Sequence, residues 1–95
     1  MSKREKLRRK LRNNPKDATM QEVETLLMRF GFTLERIQGS HHIYRYTDGK
    51  QVSKIVVPLH GRKVRTIYVK RAVELLDKLF PQEMTEQGED NGDDE

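Results

Sequence analysis

Apolar positions recur along this chain at two different periods, and the change of period marks its elements. Met20, Val23, Leu26, Leu27 and Phe30 follow one another at three- and four-residue steps, the spacing that lines one face of a helix. Thr19 stands ahead of that run with Glu22 three residues on, a capping box in which each side chain can satisfy an amide the first turn leaves unpaired. Gly31 follows as a stop able to take a left-handed conformation, and Phe32 can fold back on the last turn. Near the other end Val69, Ala72, Leu76 and Leu79, with Tyr68, Val73, Leu75 and Phe80, give a second helix a broad apolar face, with Thr66 placed to cap it and Pro81 to end it.

Between the helices the pattern favours β structure. Residues of about 41–47 and 52–58 are rich in β-branched and aromatic side chains, and Thr47-Asp48-Gly49-Lys50 between them carries an Asp-Gly pair suited to a tight hairpin turn. Thr33 to Gln38 reads as a further strand, although Leu34 and Ile37 are three apart, out of step with strict alternation, which a bulge or an early end of the strand would explain. The order helix, three strands, helix predicts an α+β domain, a three-stranded antiparallel sheet with both helices on one face and the other open to solvent. Alternation puts His42, Tyr44 and Tyr46 on one side of their strand and His41, Ile43 and Arg45 on the other. A register shifted by one would exchange His41 and His42.

The ends read differently. Residues 1–15 form a basic arm or a short helix, with only Leu7 and Leu11 apolar at helical spacing before Asn13-Asn14-Pro15 breaks the run. Residues 16–81 are the domain, and 82–95 read as a disordered acidic tail. Residues 1–81 hold all 19 Lys and Arg against 8 acids, a balance of +11, while 82–95 hold 7 acids and no Lys or Arg. The net +4 therefore conceals a basic domain, which attracts polyanions such as RNA because phosphate neutralisation releases counterions. The tail is placed to compete for that surface, or simply to improve solubility.

Candidate chemistry is narrow. With no cysteine there is neither a disulfide framework nor a thiolate metal site, and a reducing cytoplasm is compatible. No apolar run approaches the about 18 to 20 residues of a membrane span, so a soluble cytoplasmic protein is expected, with no membrane partner. Three His remain, but adjacent His41 and His42 point apart on a strand, which argues against a zinc site. No phosphate loop, nucleophile elbow or paired carboxylate marks the domain, and no small-molecule cofactor is expected.

One ordered set of motifs carries a resemblance. A helix ending in Gly31-Phe32, then Gly39-Ser40-His41 opening an aromatic-bearing strand, an Asp-Gly turn, Val57-Pro58-Leu59-His60, a basic loop and a closing amphipathic helix resemble the HicA toxin family of small ribonucleases, also called YcfA-like, over roughly Thr19 to Phe80. The resemblance implies a fold similar to double-stranded RNA-binding domains, metal-independent endonucleolytic cleavage of mRNA, and a HicB-type antitoxin as protein partner. It places acid/base catalysis on His41, the only catalytic residue it implies, with Ser40 positioning the strand end or a phosphate. Histidine suits the proton step because both its forms are populated near neutrality. Arg36, Arg45, Lys54, Arg62 and Lys63 are then candidates to hold the RNA backbone, and His60 either orients RNA or only caps its loop. A noncatalytic RNA-binding module using the same basic face is the alternative.

Overall fold

A computed structural model describes residues 3–81. Its elements are α1 (Lys3–Asn13), a 3-10 turn at Pro15–Asp17, α2 (Met20–Arg29), β1 (Thr33–Gln38), β2 (His41–Asp48), β3 (Gln51–Pro58) and α3 (Thr66–Leu79). The strands form one antiparallel sheet in the order β1-β2-β3. This is the small α+β domain with an open three-stranded sheet that the sequence pattern predicts. The acidic tail read at 82–95 lies outside the described residues.

α2 begins and ends through its own sequence. Thr19 Oγ1 accepts from the Glu22 amide at 3.1 Å, and the Thr19 amide donates to Glu22 Oε1 at 3.0 Å, closing the capping box. At the other end the Gly31 amide donates to the Met28 carbonyl and the Phe32 amide to the Leu27 carbonyl, both at 3.0 Å. That pair of bonds is a Schellman cap, and it requires the left-handed φ of 101° at Gly31. α3 starts without such help. Arg65, not Thr66, occupies the cap position and makes no side-chain cap bond, because Thr66 already lies in the first turn.

Both hairpins turn on a glycine at positive φ. Gln38 pairs with His41 around Gly39-Ser40, and Asp48 pairs with Gln51 around Gly49-Lys50, with φ of 59° at Gly39 and 61° at Gly49. Asp48 therefore stays in the ladder and the second turn centres one residue later than the Asp-Gly pair suggests. In β1 the pairing slips between Leu34 and Arg36, so Glu35 is the bulged residue. The slip brings Leu34 opposite Tyr44 and Ile37 opposite His42, which puts two apolar residues three apart on one side.

The core lies between the sheet and the helices. Tyr44 and Val57 from the sheet are fully buried with Val23, Leu26 and Leu27 of α2 and Val69 and Leu76 of α3. α1 completes the helical layer, contacting both α2 and α3. Leu11 joins the core, and the fully buried Arg8 donates to Glu5 Oε2 at 2.7 Å, pairs with Asp77 at 3.3 Å and reaches the Phe80 carbonyl at 3.4 Å. Phe30, Phe32, Tyr46 and Phe80 stack at one end with ring centroids 5.0–5.4 Å apart. Gly31 passes so close to them that a Cβ there would lie 3.0 Å from Tyr46 Cε1.

Candidate nucleic-acid interface

The pleat of β2 decides which side chains reach the open side. Tyr44 is fully buried toward the helices, and Tyr46 packs against the same core. His42 shares that side, half-buried opposite Val57 and Ile37, with its Nδ1 unpartnered. His41, Ile43, Arg45 and Thr47 accordingly face away from the helices. Their ladder partners extend the open side to Gln38, Arg36 and Thr33 on β1 and to Pro58, Val56, Lys54 and Val52 on β3. His41, Arg36, Arg45 and Lys54 thus share one face.

Two features of that face are less visible in sequence. Glu35, thrown out by the bulge, reaches across β2 to Lys54 at 3.3 Å, so Lys54 is the one cation of the three already paired. Arg36 and Arg45 pair with no carboxylate among the described residues. The second feature is an apolar strip. Ile43 is 8% exposed although it lies outside the helix-side core, flanked by Arg36 and by Val56, itself 43% exposed. The open face thus alternates apolar and cationic side chains.

β2 is held in this orientation from beneath. The Tyr44 hydroxyl donates to Glu24 Oε2 at 2.8 Å. Burial raises the phenol well above its ordinary pKa, and the Glu24 carboxylate adds to the effect, so the group stays neutral and bonded.

At the start of β2 the remaining candidates gather. The Leu59 amide donates to the Ser40 carbonyl at 2.8 Å, prolonging the β2–β3 ladder one step beyond the His41–Pro58 pair. His60 and Lys63 then pair across a turn at Gly61-Arg62, where Gly61 has φ 68°. The turn is tied to the N-terminal approach of α2, the Met20 amide donating to the Arg62 carbonyl at 3.0 Å and the Val64 amide to the Ala18 carbonyl at 3.3 Å. Ser40, His41, His60, Arg62 and Lys63, all exposed, therefore border one corner. Beside it a groove is lined by Thr19, Met20, Gln21, Leu59, Gly61 and Arg62. Lys63 comes no nearer than 3.9 Å to Asp17, its carboxylate partner.

The individual residues stand out in the sequence, but their convergence does not, because it depends on a bond between Leu59 and a turn 19 positions earlier. Among the described residues no three His, Cys, Asp or Glu side chains are grouped to hold a metal ion. No helix among them is long and apolar enough to cross a membrane.

The fold and the site together define a small α+β domain whose open sheet face carries Arg36, Arg45, Lys54 and, at the start of its central strand, His41. The chain belongs to the HicA toxin family, described as the HicA toxin of bacterial toxin-antitoxin systems, whose pattern matches residues 20–77. It is thus a toxin-family protein of the toxin-antitoxin kind. No curated protein and no solved structure matches the chain.

Proposed function

We propose that this toxin is a metal-independent endoribonuclease acting on mRNA in the cytoplasm, with His41 exchanging the proton of the reaction and a HicB-type antitoxin covering the open face. The observation that carries this reading is the separation of two neighbouring histidines. His42 is turned toward the helices, whereas His41 stands exposed on the face that holds Arg36, Arg45 and Lys54. Cleavage of RNA needs a group to move the 2′-hydroxyl or leaving-oxygen proton and cations to hold the phosphate in place. Both are supplied on that face. Ser40, in the turn just before His41, is available to position the strand end or hydrogen-bond a phosphate.

The test is incubation of the purified protein with RNA in EDTA. Cleavage is expected from the wild type, and His41→Ala should lose about 10²- to 10⁴-fold in rate while still folding and binding RNA. RNA retained but uncut by the wild type would make the protein a binding module. An undiminished rate in His41→Ala would remove His41 from the chemistry.

A further inference from the structure

We infer that His60 is a second proton-transfer group of the same site, the general acid that protonates the leaving 5′-oxygen while His41 acts as the base. The inference rests on the ribonuclease reading above. Pro58 is the ladder partner of His41, and the Leu59 amide bonds the Ser40 carbonyl at 2.8 Å, so the pairing of the two chain segments continues one step past the end of β3. Alternation then sends Leu59 to the helix side, where it lines the groove with Thr19 and Met20, and returns His60 to the side of Pro58 and His41. His60 is exposed, and the Gly61 turn with its backbone pairing to Lys63 fixes where it starts.

The separation suits the chemistry. Adjacent strands lie about 4.8 Å apart and each residue advances about 3.4 Å, which puts the two α-carbons on the order of 8 Å from one another. In an in-line displacement the attacking and leaving oxygens stand on opposite sides of phosphorus, so two groups must flank it, each within about 3 Å of its own oxygen. His41 takes the 2′-hydroxyl proton as the O2′–P bond forms. The P–O5′ bond breaks and its electron pair stays on O5′, which receives the proton of His60. The products are a 2′,3′-cyclic phosphate and a 5′-hydroxyl, and solvent exchange restores both histidines. Arg62 and Lys63, in the same turn, supply the positive charge that the phosphorane develops against.

A leaving-group substitution separates a general acid from a residue that merely orients RNA. An RNA containing one linkage that the wild type cuts is compared with the same RNA carrying sulfur in place of the bridging 5′-oxygen, in EDTA, for wild type, His41→Ala and His60→Ala. A thiolate leaves without prior protonation, thiols being far more acidic than alcohols. His60→Ala is expected to lose about 10²-fold or more on the oxygen substrate with RNA affinity preserved, and to regain most of that loss on the sulfur substrate. His41→Ala should remain slow on both. Equal slowness of His60→Ala on both substrates, an unchanged rate on the oxygen substrate, or rescue in His41→Ala instead would each overturn the assignment. A wild type that cuts neither RNA would overturn the ribonuclease reading itself, so the two failures are distinguishable.

Discussion

The two sides of β2 are made from alternate residues of one strand, yet they obey different rules. Toward the helices, Tyr44 is completely buried, its hydroxyl is bonded to Glu24, and His42 is wedged opposite Val57. Toward solvent, Arg45 and His41 are exposed, and Ile43, between Arg36 and Val56, is buried without belonging to the helix-side core. A core position is judged by the volume it fills and a working position by the charge and protons it presents, and the pleat assigns the two in strict alternation. Shifting the register by one residue would therefore destroy fold and site together.

The sharpest way to break this contrast is a pair of neighbouring substitutions. Tyr44→Ala should cost about 3–5 kcal/mol, by urea denaturation, because it empties a packed core position and leaves Glu24 without its donor. Arg45→Ala should stay within about 0.5 kcal/mol of wild type yet weaken RNA binding. Similar stability losses for both would mean that the open side is also structural.

A smaller effect tests the corner. Arg62→Gln with Lys63→Gln should weaken binding of single-stranded RNA whatever its sequence, and lower the slope of log affinity against log salt by about 0.7 for each phosphate no longer neutralised. An unchanged slope would show that these two cations serve solubility, leaving Arg36 and Arg45 to hold the phosphates.

The smallest effect lies at the first turn of α2, where the helical layer meets the corner. Thr19→Ala should cost about 1 kcal/mol. The Glu22 carboxyl is held below its ordinary pKa by its bond to Lys10 and then by the Thr19 amide. A depressed folded-state pKa contributes stability that is complete above the unfolded value of about 4.3 and disappears as pH falls through the folded value. Glu22→Gln should accordingly flatten the loss of stability between about pH 5 and the acid limit, monitored by thermal unfolding. A full acid-side loss in that variant would assign the effect to other carboxylates.

How much of this was legible in the sequence depended on whether its cause was local. The cap at Thr19, the stop at Gly31 and the facing of His41 against His42 each follow from residues within a few positions, and each appears as expected. The conflict between Leu34 and Ile37 leaves a bulge and an early strand end equally open, and only the pairing shows the bulge and identifies Glu35 as the displaced residue, and with it the partner of Lys54. Thr66 misleads as a cap because residue type alone does not say whether the helix begins at it or before it. The gathering of Ser40, His41 and His60 and the burial of Arg8 were hidden for a common reason. Both are made by interactions between distant parts of the chain, and no periodicity encodes them.

The anchoring of α1 has a bearing on how the protein is made. α1 precedes the family-matched residues 20–77, and its buried Arg8 is bonded to Asp77 and to the carbonyl of Phe80. A ribosome adding about 5–20 residues per second delivers α1 several seconds before those partners exist. Throughout that interval Arg8 has Glu5 and then Phe30 as neighbours but neither Asp77 nor the Phe80 carbonyl, while the hairpins, whose pairing is local, can already form. The packing of α1 against α3 must therefore wait until the chain has passed Phe80, whereas the hairpins depend on no residue beyond Pro58.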